Sequence, residues 1–205
     1  MMRKILFTLI ALILLGTVVF VIDLYFTNGN MQMLASSNPD VRMALEQIGV
    51  TAPRWDTLIL SAEKEAAIPA PVLWATWSRL EEWPVWSHPL HVSARWVGDA
   101  EWKPGSKFEQ KLSLGFPVGE VISREEVGSV NKGRRVVWSK NEGGIKSCHI
   151  WSFERQPDGT TRVTNTEVFQ GRKMGWIRPL VARRWQRMFA ASVEGLVQTA
   201  QNRTR

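Results

Sequence analysis

Residues 177–196 read IRPLVARRWQRMFAASVEGL, and their apolar side chains recur at the spacing of an α-helix. One side of this predicted helix carries Ile177, Val181, Trp185, Met188, Ser192 and Leu196, with Leu180, Phe189 and Val193 at its edges. Arg183 and Arg187 fall on the opposite side, and Pro179 lies in the first turn, where a missing N–H costs nothing. A helix of about twenty residues with so broad an apolar face needs an equally broad apolar partner.

The chain before this helix supplies such a partner as a series of strands. Turn residues separate strand-like segments at residues 57–67, 91–97, 107–113, 118–127, 134–140, 145–154 and 162–169. A short helix is expected at residues 72–80, followed by a proline-rich aromatic corner at residues 82–89. This order predicts an α+β fold in which one antiparallel sheet of about seven strands curves around the long C-terminal helix.

The N-terminus carries an apolar run without charge, residues 5–22, which is long enough to span a bilayer as a helix. Arg3 and Lys4 precede the run and Asp23 follows it, so the positive-inside rule places the N-terminus in the cytoplasm. We therefore expect a single-pass protein of the inner or plasma membrane, with its domain facing the periplasm or the exterior. A cleaved signal peptide is the alternative, but no Ala-x-Ala site follows the run closely.

The chain divides into three predicted parts. Residues 1–27 form the transmembrane signal-anchor, residues 28–56 a linker with a short amphipathic helix, and residues 57–202 the folded domain. Asn38 is the expected cap of the short helix, Pro39 its first residue, and Gly49 marks its end.

The net charge of +7 is confined to the C-terminal segment. Residues 171–205 carry eight basic side chains against Glu194 alone, whereas residues 1–170 carry 18 of each sign. A general nucleic-acid-binding surface is therefore disfavoured. The basic helix face either attracts anionic lipid headgroups beside the anchor or is a solvated face that keeps the domain soluble.

Other residue counts and motifs limit the kinds of disulfide, metal site and catalytic site that the chain can form. Cys148 is the single cysteine, so no intramolecular disulfide forms, and no Cys/His cluster has metal-ligand spacing. The sequence contains no nucleophile elbow, phosphate loop or dinucleotide fingerprint, and we expect no metal and no cofactor. Eleven tryptophans indicate either a roomy aromatic interior around a cavity or simply a tryptophan-rich core.

Two neighbouring strands place polar side chains among apolar ones. By the period-two rule the inward faces carry His149, Trp151 and Phe153 on one strand and Val163, Asn165 and Glu167 on the next. Burial of polar groups requires partners, so we predict that His149 lies opposite Glu167, which requires a loop of odd length or a bulge. The pair is either a polar anchor or general acid/base pair in a pocket, or a structural pair. His88 and His91 flank Pro89 without an evident partner, and we expect turn or surface positions for both.

Several local strings resemble the START-like (SRPBCC) superfamily, in particular its polyketide cyclase/dehydrase and lipid-transport branch. They are IPAPVLW at residues 68–74, WPVWS at 83–87, WKPG at 102–105, HIWSFE at 149–154 and GTTRVT at 159–164. The resemblance covers about residues 57–201 and implies a helix-grip fold with a cavity between sheet and long helix. It implies little about chemistry, because the superfamily holds carriers, receptors and enzymes on one fold.

These observations favour a membrane-anchored, extracytoplasmic binding module for a lipid or other hydrophobic small molecule. The alternatives are a cyclase- or dehydratase-type enzyme that uses His149 and Glu167 on a polyketide-like substrate, and a non-catalytic structural or interaction domain. The predicted ligand-binding residues are Trp138, His149, Trp151, Phe153, Asn165, Glu167, Trp185, Met188 and Ser192. The small residues Ala191, Ser192, Gly195 and Thr199 should leave space for the cavity, and Arg184 should lie at its mouth. The sequence names no protein partner.

Overall fold

The structure is a computed structural model that describes residues 2–99 and 101–204. Its helices are α1 (Met2–Ser37), α2 (Pro39–Gln47), α3 (Ala70–Trp77), α4 (Trp83–Trp86) and α5 (Arg172–Asn202), with a 3₁₀ turn at Leu80–Glu82. Its strands are β1 (Thr57–Ala66), β2 (His91–Val97), β3 (Lys107–Gly115), β4 (Gly119–Asn131), β5 (Arg135–Glu142), β6 (Ile145–Arg155) and β7 (Thr161–Gln170).

Over the described ranges, seven strands form one antiparallel sheet in the order β1-β7-β6-β5-β4-β3-β2. The sheet curves around α5, whose side chains Val181, Trp185 and Met188 are buried against it while Arg183 and Arg187 face solvent. The predicted α+β fold, with its curved seven-stranded sheet and long C-terminal helix, is confirmed.

Helix α5 has 31 residues and is longer than the twenty or so that the sequence predicted. Pro179 therefore lies inside the helix rather than in its first turn. Packing of the extra turns compensates for the missing backbone hydrogen bond. Met174 is buried there, and the buried Arg178 donates from Nη1 to the Thr57 carbonyl at 3.1 Å. These contacts hold the N-terminal turns of α5 against β1.

The opposite face of the sheet is covered by α2 and the end of α1. Val41 and Leu45 of α2 pack with Ile150 of β6, and Met31 of α1 joins the same cluster. The predicted cap is confirmed, since Asn38 Oδ1 accepts from the backbone N–H of Asp40 at 2.9 Å. Residues 28–37, predicted as a linker, instead continue α1, because Met31 and its neighbours pack on the domain.

The predicted membrane helix, residues 5–22, lies within α1. Many side chains of that run lie outside the described residues. Among the residues that are described, no helix is long and apolar enough to cross a membrane.

Aromatic side chains fill one end of the space between α5 and the sheet. Trp77 of α3 contacts Trp83, Trp102 and Trp151, with ring centroids 5.5, 4.4 and 6.1 Å away. Trp77 is completely buried. This end of the interior is a packed tryptophan core rather than a cavity.

The small residues of α5 serve this packing. A Cβ added at Gly195 would lie 1.9 Å from the Trp86 carbonyl oxygen, and Ser192 Oγ lies 2.5 Å from Ser87 Oγ. The expectation that Gly195 and Ser192 leave space for a ligand is therefore wrong. They allow α4 to approach α5 closely.

The β6–β7 hairpin has the predicted register. His149 pairs with Glu167 and Trp151 with Asn165, and the strands are joined by residues 156–160, a loop of odd length. Both members of the candidate pair consequently point to the concave side, which α5 covers.

Candidate functional site

A cavity of about 250 Å³ lies between α5 and the concave face of the sheet, at the end away from the tryptophan core. Its walls are mainly apolar. The sheet contributes Leu112, Val121 and Phe169, and α5 contributes Ile177 and Met188. The β3–β4 and β5–β6 hairpins border this end of the sheet, because Leu114, Val118, Glu142 and Ile145 also line the cavity. A concave, mainly apolar space with a few polar groups is the usual form of a small-molecule site.

His149 and Glu167 form one polar spot in the cavity wall. The Nδ1 atom of His149 lies 3.2 Å from Oε2 of Glu167, and its Nε2 atom lies 2.6 Å from Oδ1 of Asn165. The imidazole is also held between the rings of Trp138 and Phe189, with centroids 4.4 and 5.5 Å away. Both ring nitrogens have partners, so neither is free to take a proton from a ligand in this arrangement.

The predicted ligand-binding residues separate into two groups. Those in the cavity wall are His149, Glu167, Trp185 and Met188. Those placed elsewhere are Trp138, Trp151, Phe153, Asn165 and Ser192. The four strand residues of the second group lie on the concave face at the filled end or behind the wall, because α3 and α4 bring their tryptophans against it. Ser192 lies on α5, where its Oγ contacts Ser87.

His91 lies in the cavity wall, so its expected position at a turn or on the surface is wrong. It is 6% exposed; its Nδ1 lies 2.8 Å from Ser87 Oγ and its Nε2 lies 2.9 Å from Gln110 Oε1. Burial lowers the pKa of His91 to about 4, partly opposed by the hydrogen bond to Gln110. The imidazole is consequently neutral at pH 7. Since Gln110 Oε1 only accepts, Nε2 carries the proton and Ser87 donates to Nδ1.

A second polar spot lies on β4 and β5. Ser123 donates to Glu125 at 2.5 Å, and Lys140 Nζ donates to Ser123 at 2.9 Å. Burial raises the pKa of the Glu125 carboxyl, an effect that the Ser123 hydrogen bond partly opposes. All three side chains line the cavity.

Gln110 and Glu125 were not predicted as cavity residues, although the alternation of inward and outward side chains along their strands indicates that they point inward. Gln110 lies between the inward-facing Phe108 and Leu112, and Glu125 precedes the buried Val127 by two positions. A period-two reading of β3 and β4 would have placed both side chains inward.

Over residues 2–99 and 101–204, no group of three His, Cys, Asp or Glu side chains is placed to hold a metal ion. Cys148 is fully buried, and burial raises the pKa of its thiol to about 12. The thiol is therefore inert at neutral pH.

A long helix held by a curved antiparallel sheet, with a cavity of about 250 Å³ between them, defines a helix-grip protein. The chain belongs to the polyketide cyclase/dehydrase and lipid transport family, whose sequence model matches residues 57–201. The resemblance to the START-like superfamily is thereby confirmed. No curated protein matches the chain significantly.

Solved structures show the same fold. A protein from Thermus thermophilus is 17% identical, with a TM-score of 0.58 over 72% of this chain and 99% of its own. The Zhui aromatase/cyclase from a Streptomyces species is 12% identical, with a TM-score of 0.57 over 73% and 96%. A norcoclaurine synthase point mutant from Thalictrum flavum, bound to a transition-state analogue, is 14% identical, with a TM-score of 0.56 over 73% and 97%. At these identities the likeness concerns the fold alone.

Proposed function

We propose that this protein is a membrane-anchored, extracytoplasmic binding module for a lipid or another hydrophobic small molecule. The observation that carries the proposal is the cavity of about 250 Å³ between α5 and the sheet, with its mainly apolar wall. A family description that includes lipid transport supports it. The cavity is matched to a ligand with an apolar body, which it would remove from water.

The polar side chains in the cavity wall indicate which groups the ligand carries besides its apolar body. His149 with Glu167, and Glu125 with Ser123, lie on strands that line the same cavity. Each carboxylate uses one oxygen within its pair, so its second oxygen can accept a hydrogen bond from a ligand and orient it. We infer that the ligand carries at least one hydrogen-bonding group.

A cyclase- or dehydratase-type reaction at His149 and Glu167 is the rival function. The contacts of His149 favour binding over this chemistry, since Asn165 and Glu167 occupy both ring nitrogens. A general base needs a free nitrogen within reach of the proton that it removes. Under the binding proposal the ligand is recovered from the protein unchanged, whereas an enzyme would release a product of different mass.

Filling the cavity should abolish ligand retention. Val121 points into the cavity from β4, and the next residue, Ile122, is 63% exposed on the other side of the strand. We expect Val121→Trp to lose most of the hydrophobic ligand that co-purifies with the chain, because the indole occupies the ligand's space. Native mass spectrometry of the delipidated and untreated protein measures the occupancy.

Ile122→Trp is the matched control, because it adds the same ring to the opposite face of the same strand. It should retain the wild-type occupancy. Equal occupancy in Val121→Trp and the wild type, or an empty wild-type cavity, would contradict the binding proposal.

The membrane anchor is supported by the exposure of apolar side chains on α1. Phe7 is 73% exposed, Leu14 60% and Leu15 61%, within a run that carries no charge. The domain leaves the apolar surface of these side chains uncovered, and a bilayer would cover it. Arg3 and Lys4 precede the run and place the N-terminus in the cytoplasm, so the C-terminus lies on the other side of the membrane. A reporter that is active only after export should therefore be active when it is fused to the C-terminus. Activity of a reporter that works only in the cytoplasm would refute the orientation.

A further inference from the structure

The N-terminal half of α5 turns an apolar and basic surface to solvent. Trp176 and Leu180 are each 63% exposed, and their spacing of four residues places them on the same side of the helix. Basic residues flank them on that side. We call this surface the outer face of α5; it consists of Lys173, Trp176, Leu180, Arg183, Arg184 and Arg187, all exposed.

The β3–β4 hairpin extends this surface. The Arg184 guanidinium lies against Gly115, so closely that a Cβ there would be 2.0 Å from its Cζ atom. Trp185 Nε1 donates to the Leu114 carbonyl at 3.1 Å and fixes the hairpin beside the helix. Phe116, at the tip of the hairpin, is 83% exposed. The outer face of α5 and Phe116 therefore form one continuous patch.

The charge of this patch has one sign. No acidic residue occurs between Glu167 and Glu194, while this interval carries six basic residues. One of these, Arg178, is buried in the domain, so the others set the potential of the surface. Exposed aromatic and aliphatic side chains among arginines are typical of helices that lie in the interface of an anionic membrane.

The patch covers the end of the domain that holds the cavity. Leu114 and Val118 of the hairpin and Ile177 of α5 line the cavity from the inner side of the same elements. Helix α1, the proposed anchor, contacts α5. We propose that the outer face of α5, together with Phe116, docks on the anionic headgroup layer of a bilayer, so that the cavity end of the domain faces the membrane. The proposal rests on the membrane attachment inferred above.

A fluorophore on the patch can report docking in the full chain. Leu180→Cys places a thiol on the outer face, and Val85→Cys places one on α4, where Val85 is 75% exposed. Helix α4 lies against Gly195, which is about 28 Å along the axis of α5 from Trp176. Cys148 is buried and its thiol pKa is raised to about 12, so an environment-sensitive thiol label goes to the introduced cysteine.

The labelled chains are mixed with vesicles of phosphatidylcholine alone or with added phosphatidylglycerol, and both flotation and emission are measured. We expect flotation on both vesicles, and a blue shift only for the label at position 180 on the anionic ones. Flotation without that shift, or an equal shift for the label at position 85, overturns the docking surface but leaves the anchor. Flotation and a shift on anionic vesicles alone support docking and remove the anchor, and no flotation on either removes both.

Charge and self-association are tested in the same chain. Arg183→Gln with Arg187→Gln should weaken docking on anionic vesicles about 30-fold, at about 1 kcal/mol for each basic residue near the surface. The control pair, Lys132→Gln with Arg134→Gln in the exposed β4–β5 turn, removes the same charge and should have no effect. Equal effects of the two pairs would overturn the proposal. A blue shift that grows with protein concentration without lipid would also overturn it, since it would identify a contact between copies of the chain.

Discussion

Replacing Trp83 by alanine should destabilise the folded domain by about 3–5 kcal/mol, the usual cost of truncating a large buried aromatic side chain. Trp83 is 1% exposed, and its Nε1 donates to the Trp77 carbonyl at 2.7 Å. Its ring contacts His91, Phe108 and Trp138, with centroids 5.1, 5.9 and 6.1 Å away. The substitution therefore leaves a cavity and an unpaired carbonyl at the centre of the aromatic core.

Trp176→Ala is the matched control, because it removes the same side chain from a position that is 63% exposed. Its ring contacts Trp55 at a centroid distance of 6.1 Å, so a loss below about 1 kcal/mol is expected. Urea unfolding of both variants and the wild type in the same detergent, followed by far-ultraviolet circular dichroism, gives the two differences. Similar losses for Trp83 and Trp176 would mean that the aromatic end is not the stabilising core.

The sequence was sufficient to predict the fold because the elements carry distinct periods. The alternation around His149 and Glu167 located the concave face of β6 and β7, and the helical period around Trp185 located the buried face of α5. These local patterns agree with the global arrangement, which is typical of natural sequences. Even the register followed, since a shift by one residue would have exposed Glu167.

The position of the cavity along the sheet could not be predicted in the same way. Trp151 and His149 lie on the same face of one strand, so their period is identical, but only His149 reaches the cavity. The difference arises from Trp77 and Trp83, which α3 and α4 bring against one end of the sheet from distant parts of the sequence. Contacts between residues so far apart in the sequence leave no pattern in the local sequence from which they could be predicted.

His91 illustrates the same limit. It follows Pro89 by two residues, which favoured a turn or surface position. Its partners are Ser87, in the turn after α4, and Gln110, on the neighbouring strand. The imidazole is buried only because α4 approaches β2 and β3 in the folded chain. Because it is buried, protonation of His91 changes the free energy of unfolding.

Acidification should destabilise the protein through His91. Its pKa is about 4 in the folded chain, whereas an exposed histidine of the unfolded chain has its ordinary value of 6.5. Between these values the unfolded chain therefore binds more protons than the folded one. The contribution of neutral His91 is complete above about pH 6.5 and is lost as the pH falls to about 4, a change of about 3 kcal/mol.

His91→Gln removes this titration and so isolates its contribution. Even if the variant is less stable at every pH, its free energy of unfolding should fall less steeply than the wild type's across the window. Glu125, whose pKa burial raises, titrates in both proteins, so its contribution largely cancels in the difference between the two curves. Urea unfolding at half-unit steps from pH 4 to pH 7.5 gives both curves, and parallel curves would show that burial does not suppress the protonation of His91.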